Sequence, residues 1–137
     1  MLAQLIEFVA NHYVLSTLLV VLLILFAFNE LNKGGRSLNN HELTSLVNSD
    51  QGLVLDIRAK KDFDAGHIVG ALHMPYEKVA TRMVELEKHK DKTIIVVCAH
   101  GQTAGPACAQ LKHAGYTVAK LSGGMGSWRG DNLPVVK

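Results

Sequence analysis

Hydrophobic and polar positions divide this chain into two unlike parts. Residues Val14 to Phe28 read VLSTLLVVLLILFAF, with no charge, Gly or Pro, and the stretch between Glu7 and Glu30 offers only His12 as a group that ionises near neutral pH. A membrane-spanning helix needs about 20 apolar residues at about 1.5 Å each. The window over residues 8–29 has that length, with Asn11, His12 and Tyr13 in the interface, where amphipathic rings settle. A helix buried in a soluble core keeps a polar face, and this run has none. A cleaved leader needs a basic start and a small-residue cleavage site. The first twelve residues hold no Lys or Arg, and AFNELNKGG offers no A-x-A pattern. The reading is an anchor over residues 1–31 with one transmembrane helix, in contact with the lipid bilayer through residues 8–29.

Beyond a polar linker, residues 32–37 (NKGGRS), the pattern breaks into short elements over residues 38–137. Asn39-x-x-Glu42 resembles a capping box, and Leu43, Leu46 and Val47 follow at helical spacing up to Asn48. Leu53–Ile57 (LVLDI) reads as a strand, and polar Lys60–Ala65 ends at Gly66. Apolar Ile68, Val69, Ala71, Leu72 and Met74 lead to Pro75. Tyr76–Lys90 reads as a helix with Val79, Met83 and Leu86 on one side. Thr93–Val97 (TIIVV) is the clearest buried strand. A helix over Thr103–Ala114 stops at Gly115, a strand covers Thr117–Leu121, and Gly123-Gly124 opens a last turn or short helix containing Trp128. Apolar strands without alternation, separated by helices, predict an α/β fold with a mostly parallel sheet covered on both faces. Ligands of such sheets bind beyond the carboxyl ends of the strands.

Charge narrows the setting. The chain carries 14 Lys+Arg against 12 Asp+Glu, interspersed. KHKDK at 88–92 reads as a solvated helix end, so no nucleic-acid partner is expected. Lys33 and Arg36 follow the apolar run, whereas only Glu7 precedes it, which predicts a single-pass protein of the inner (plasma) membrane with its domain in the cytoplasm. Cys98 and Cys108 would be reduced there, and no structural disulfide is expected. The seven histidines show no paired ligand spacing, so neither a metal nor a cofactor is expected.

Chemistry centres on Cys98, at the carboxyl end of the best strand. Ala99-His100-Gly101-Gln102-Thr103 then lead into a helix, and the small residues let the backbone curl so that several N–H groups point inward. A turn of this kind, continued by a helix N-terminus, cradles an anion and stabilises a thiolate. An inert buried cysteine is the competing reading of Cys98, and position alone leaves both open. Cys108 shares an apolar helix stripe with Ala104, Ala107 and Leu111 and reads as packing. His100 either donates to a bound anion or faces water, and both remain open.

Three stretches together resemble the rhodanese-like domains, over nearly all of residues 38–136. They are LVLDIRAKKDFDAGHIVGALHMP (53–75), IIVVCAHGQT (94–103) and LSGGMGSWRGDNLPV (121–135). The first looks like the family's Asp-x-Arg, Gly-His-Ile, Gly-Ala and Pro series, the second like its strand and six-residue active-site loop, the third like its Gly-Gly, Trp and Pro ending. The resemblance implies an α/β fold and sulfur transfer, with Cys98 as the catalytic cysteine that becomes a persulfide. Ala99, His100, Gly101, Gln102 and Thr103 would form the substrate-binding loop. Asp56 and Arg58 stand two apart at a strand end as support, more in keeping with scaffold than site. His67 is expected to make a structural hydrogen bond. Gly123 and Gly124 form a turn, one of them a candidate to line the pocket, and Trp128 a packing anchor.

One position departs from the family pattern. The loop often ends in Arg where this chain has Thr103, which supplies a hydroxyl and no charge. An Arg would give an oxyanion such as thiosulfate a charged donor fork. Weak activity with thiosulfate is therefore expected, and a small sulfur donor of another kind or a protein persulfide is the expected partner. Phosphatases of a related fold place Arg six residues after the cysteine, where this chain has Ala104. A non-catalytic, membrane-tethered interaction module is the alternative, and a membrane-protein partner stays open, although the span holds no small-xxx-small motif to argue from.

Overall fold

A computed structural model describes residues 1–33 and 35–137, the side chains of residues 31–33 excepted. Gly34 of the expected linker and the side chain of Lys33 thus lie outside the described residues. The chain forms two units, Met1–Asn32 and Lys33–Lys137.

The first unit is two helices, α1 (Leu2–Asn11) and α2 (Tyr13–Lys33). Among the described residues, α2 is the one helix long and apolar enough to cross a membrane. The continuous apolar helix therefore starts at Tyr13. Residues 8–11, placed in the span by their lack of charge, belong to α1, because the chain leaves helical geometry at His12, with φ −122° and ψ 41°.

The second unit is a five-stranded sheet in the order β1-β5-β4-β2-β3. The strands are β1 (Arg36–Leu38), β2 (Gly52–Asp56), β3 (Leu72–His73), β4 (Thr93–Val97) and β5 (Val118–Leu121), and every pairing is parallel. Arg36 and Ser37 read as linker by composition. They instead pair with Ala119 and Lys120 as an edge strand, with Leu38 buried behind them.

Both faces of the sheet are covered, which is why β4 is apolar throughout rather than alternating. Leu55, Ile94 and Val96 face α5 (Val79–Arg82) and α6 (Ala104–His113), where Val79, Ala107, Cys108 and Leu111 meet them. Val54, Ile95, Val97, Ala119 and Leu121 face α3 (Asn40–Asn48) and α7 (Gly124–Gly130), through Leu43, Met125 and Trp128. Ile94, Ile95, Val96 and Val97 are all 0% exposed. Burying such side chains contributes about 1.5–3 kcal/mol each.

Local chemistry sets the boundaries. Asn39 caps α3, its Oδ1 accepting from the Glu42 N–H at 2.8 Å while its Nδ2 donates to Glu42 Oε1 at 3.2 Å. The helix expected over Tyr76–Lys90 is broken into a 3₁₀ turn (Tyr76–Lys78), α5, and a second 3₁₀ helix (Met83–His89). Met83, Leu86 and His89 are the inward positions of that last piece, a spacing of three that suits three residues per turn. Tyr116 Oη also donates to the Met83 carbonyl at 2.8 Å, drawing on a group that a continuous α-helix would use itself.

A buried ion pair ties the sheet to the loop that follows β2. Arg58 Nη2 lies 2.7 Å from Asp56 Oδ2, with side chains 6% and 1% exposed. The Arg58 backbone N–H also donates to Asp56 Oδ1, and Nη2 reaches the Gly66 carbonyl at 2.8 Å. This short polar knot holds α4 (Lys60–Ala65) and the Gly66 turn against the sheet. Arg58→Met should leave the Asp56 carboxylate buried without its partner, at a cost of about 3–5 kcal/mol. The urea midpoint of the full chain in detergent, followed by the fluorescence of the single Trp128, should fall accordingly.

Candidate functional site

Strand parity aims Cys98. In β4, Ile94 and Val96 point to the α6 side, and Cys98, two residues on, shares that side and is 3% exposed. The sheet ends there, and the loop over residues 98–103 carries the chain into α6. Gly101 sits at φ +87°, a region that favours glycine, and its N–H turns back onto Cys98 Sγ at 2.8 Å. Among the described residues, the N–H groups of Gln102, Thr103 and Ala104 meet no protein acceptor and are available to a bound anion. Ala99, His100, Gln102 and Thr103 are exposed, and Thr103 precedes α6 without capping it through its hydroxyl.

Helix α7 grips this loop from the other side. The Met125 N–H donates to the Cys98 carbonyl at 2.8 Å, and the Gly126 N–H to the Ala99 carbonyl at 2.9 Å. The approach is close enough that a Cβ on Gly124 would collide with the Cys98 carbonyl oxygen and lie 2.9 Å from the Ala99 carbonyl carbon. Gly123 meets Gly101: a Cβ on Gly101 would lie 3.4 Å from the Gly123 nitrogen. Gly123 and Gly124 are therefore the clamp behind the loop. Gly126 escaped the sequence reading. It leaves room for His100, whose Nδ1 would lie 3.2 Å from a Cβ there. The signal available was the Gly-Gly-x-Gly spacing of residues 123, 124 and 126.

Other predicted positions lie in the scaffold. Asp56 and Arg58 bond to each other, and Arg58 also to Gly66. His67 Nδ1 is bonded to the Phe63 carbonyl at 2.8 Å, and its ring stacks on Phe63 with centroids 3.8 Å apart. Trp128 Nε1 donates to the Pro134 carbonyl at 3.0 Å, fixing the final segment beside α7. A cavity of about 230 Å³ on the opposite face of the sheet is lined by Leu43, Val47, Ile68, Val69 and Trp128 among others, and the Thr44 hydroxyl on its wall is already bonded to the Asn40 carbonyl at 2.9 Å. Its lining is mostly apolar, and Cys98 lies on the other side of the sheet. Among the described residues, no three of His, Cys, Asp and Glu gather as metal ligands.

With this geometry stands the match to known families. The model of the rhodanese-like domain matches residues 39–131. The chain belongs to the rhodanese-like domain family. It is 35% identical to the uncharacterized Escherichia coli K12 protein YibN, over 98% of this chain and 97% of that one. It is 34% identical to a sulfurtransferase of Allochromatium vinosum, over 66% of this chain and 84% of the relative. The crystal structure of a rhodanese-related protein from Thermoplasma volcanium superposes with a TM-score of 0.68 at 30% identity, covering 74% of this chain and 97% of that one. Rhodanese-like domains thus include sulfurtransferases, and the five-stranded parallel sheet with flanking helices is their fold.

Cys108 stays outside the site chemistry. It is buried in α6 and its Sγ donates to the Ala119 carbonyl at 3.4 Å. Burial pushes its thiol from an ordinary 9.0 up to about 12, with the Lys120 ammonium opposing the shift and Cys98 adding to it. The unfolded chain therefore loses this proton at lower pH than the folded one. The resulting stability is complete below about pH 9 and is lost as pH rises toward about 12. Cys108→Ala should remove that part of the alkaline loss. Urea midpoints of variant and parent, compared at intervals from pH 8 upward, should converge as the pH rises.

Proposed function

We propose that this protein is a membrane-anchored sulfurtransferase that carries sulfane sulfur as a persulfide on Cys98. The observation that carries the reading is the Gly101 N–H on Cys98 Sγ, within a loop whose next N–H groups have no protein acceptor among the described residues. The Cys98 thiolate attacks the outer sulfur of a donor. A new S–S bond forms on Cys98, the donor's own S–S bond breaks, and the donor leaves as a thiolate, or as sulfite when it is thiosulfate. An acceptor thiolate then attacks the outer sulfur, takes it, and returns Cys98 as a thiolate. Each step exchanges one S–S bond for another, so no outside oxidant enters. Loop N–H groups spread the negative charge of the terminal sulfur, as preorganised donors do at a developing anion.

Thr103 sets the donor. Without a charged fork at the loop's sixth position, thiosulfate lacks a contact of about 1.5–3 kcal/mol. A small persulfide or a protein persulfide needs no such contact and fits the loop better. Helix α2 supports the anchor through its length and composition, and Lys33 and Arg36 on the domain side of that helix favour a cytoplasmic domain. The same Thr103 favours a second reading, a membrane-tethered module that binds partners without turnover, and the hydrogen-bonded Cys98 speaks against it.

The test is the intact mass of the full chain in detergent after reduction and exposure to a persulfide donor or to thiosulfate. The parent should gain one sulfur from the persulfide, removable by cyanide, and Cys98→Ser should gain none. A folded parent that takes sulfur from no donor would leave the binding module as the reading. Thiosulfate should load the parent poorly, and Thr103→Arg should improve that loading by roughly ten- to a hundredfold, the kinetic equivalent of the missing contact. Strong thiosulfate turnover by the parent would overturn the donor assignment.

A further inference from the structure

None of the ten residues of α1 is buried, yet its sequence, LAQLIEFVAN, is sharply two-sided. At about 100° per residue, Leu2, Leu5, Ile6 and Val9 fall within roughly 100° of one another, and Gln4, Glu7 and Asn11 within roughly 60° on the opposite side. A helix patterned this way needs its apolar stripe covered. Helix α2 is different in kind, with apolar side chains on every side from Val14 to Phe28. Its Thr17 hydroxyl is already satisfied by the Tyr13 carbonyl at 2.7 Å, as lipid surroundings require.

Length separates the two helices as clearly as pattern does. The candidate span within α2, the 18 residues Tyr13–Glu30, rises about 27 Å, close to a hydrocarbon core of about 30 Å before any of α1 is added. Extending the whole of α2 as one rod through α1 would bring it to roughly 45–50 Å and draw Gln4, Glu7 and Asn11 into the lipid. The chain instead leaves helical geometry at His12. The joint is held on both sides: the His12 N–H donates to the Phe8 carbonyl at 3.0 Å, the Ser16 N–H to the His12 carbonyl at 2.9 Å, and the His12 ring stacks on Phe8 with centroids 4.6 Å apart.

We propose that α1 lies in the plane of the membrane interface. Leu2, Leu5, Ile6 and Val9 face the acyl chains, Gln4, Glu7 and Asn11 face water, and His12 and Tyr13 form the joint at headgroup level. The proposal rests on reading α2 as the membrane span. Between residues 1 and 32 the chain has no Lys or Arg, so nothing in α1 recruits anionic lipid. The contact is therefore with the apolar layer of the bilayer, and anionic lipid should not strengthen it. The covering partner is lipid, continuous with the lipid around α2.

The experiment places single nitroxide-labelled cysteines along α1 and α2 of the full chain, in a Cys98→Ser, Cys108→Ala background reconstituted into phosphatidylcholine vesicles. Collisions with oxygen and with a water-soluble nickel chelate report depth at each position. In α1 the readings should oscillate with a period of about 3.6 residues, oxygen dominating at 2, 5, 6 and 9 at about 5–10 Å depth and nickel at 4, 7 and 11. Adding phosphatidylglycerol should not deepen the α1 readings. In α2 nickel should be excluded throughout and depth should peak mid-helix. Nickel access at every α1 position would overturn the proposal, as would depth that increases steadily from α1 into α2. A contrast in α1 that vanishes on dilution into excess lipid would overturn it too, because a second copy would then be the cover. Nickel access along α2 would remove the span itself, whereas an intact α2 profile beside a failed α1 pattern would remove only the interfacial assignment.

Discussion

Two hydrogen bonds hold the loop that begins at Cys98, and both come from the opening turn of α7. The N–H groups of Met125 and Gly126 would otherwise have no partner inside their own helix. They are given to the carbonyls of Cys98 and Ala99 instead, at 2.8 and 2.9 Å. That fixes the backbone at the exit of β4 and leaves the residues beyond it free to curl. The closeness of the grip depends on Gly124 having no side chain. Trp128, tied to the Pro134 carbonyl and buried against the sheet, holds α7 in place from its far end. Held in this way, the main chain keeps the Cys98 thiol at a fixed place at the end of its strand.

Much of this could be read from the chain, and the exceptions have physical causes. TIIVV reads as a central strand because it is buried on both faces, and the loop cysteine follows from where that strand ends. Asn39 announces its helix through a local bond, which sequence spacing reports well. Edge strands report themselves badly. Arg36 and Ser37 are exposed and polar, and their pairing depends on Ala119 and Lys120, more than eighty residues away. β3 is two residues long, too short for a period to show. The 3₁₀ helix at Met83–His89 differs from an α-helix by a spacing of three against three or four, and a window holding Val79, Met83 and Leu86 fits both.

The loop divides in the same way. Cys98 and the glycine after it were visible as a local arrangement, and so was Thr103 as a missing charge. The clamp was visible only as a glycine pair, since the contact between residues 98–100 and 123–126 is long-range. Asp56 and Arg58, a charged pair at a strand end that reads as more in keeping with scaffold than site, bond to each other, and Arg58 also to Gly66. At a strand end, a charged pair that satisfies itself in the interior is scaffold, and the group whose bonds remain open is the one left for chemistry.

The parity of β4 has a consequence for how this domain can vary. Cys98 faces α6 because it stands an even number of residues after Ile94 and Val96, and consecutive side chains of a strand point to opposite faces. Gaining or losing one residue inside β4 would leave the composition almost untouched and turn the sulfur toward the α3 and α7 layer. The turn before β4, at the other end of the sheet, carries no such code, and residues there can be added without reversing the strand. Divergent copies of this chain should therefore differ in length around Lys88–Lys92 and keep an unbroken count from Thr93 to Cys98.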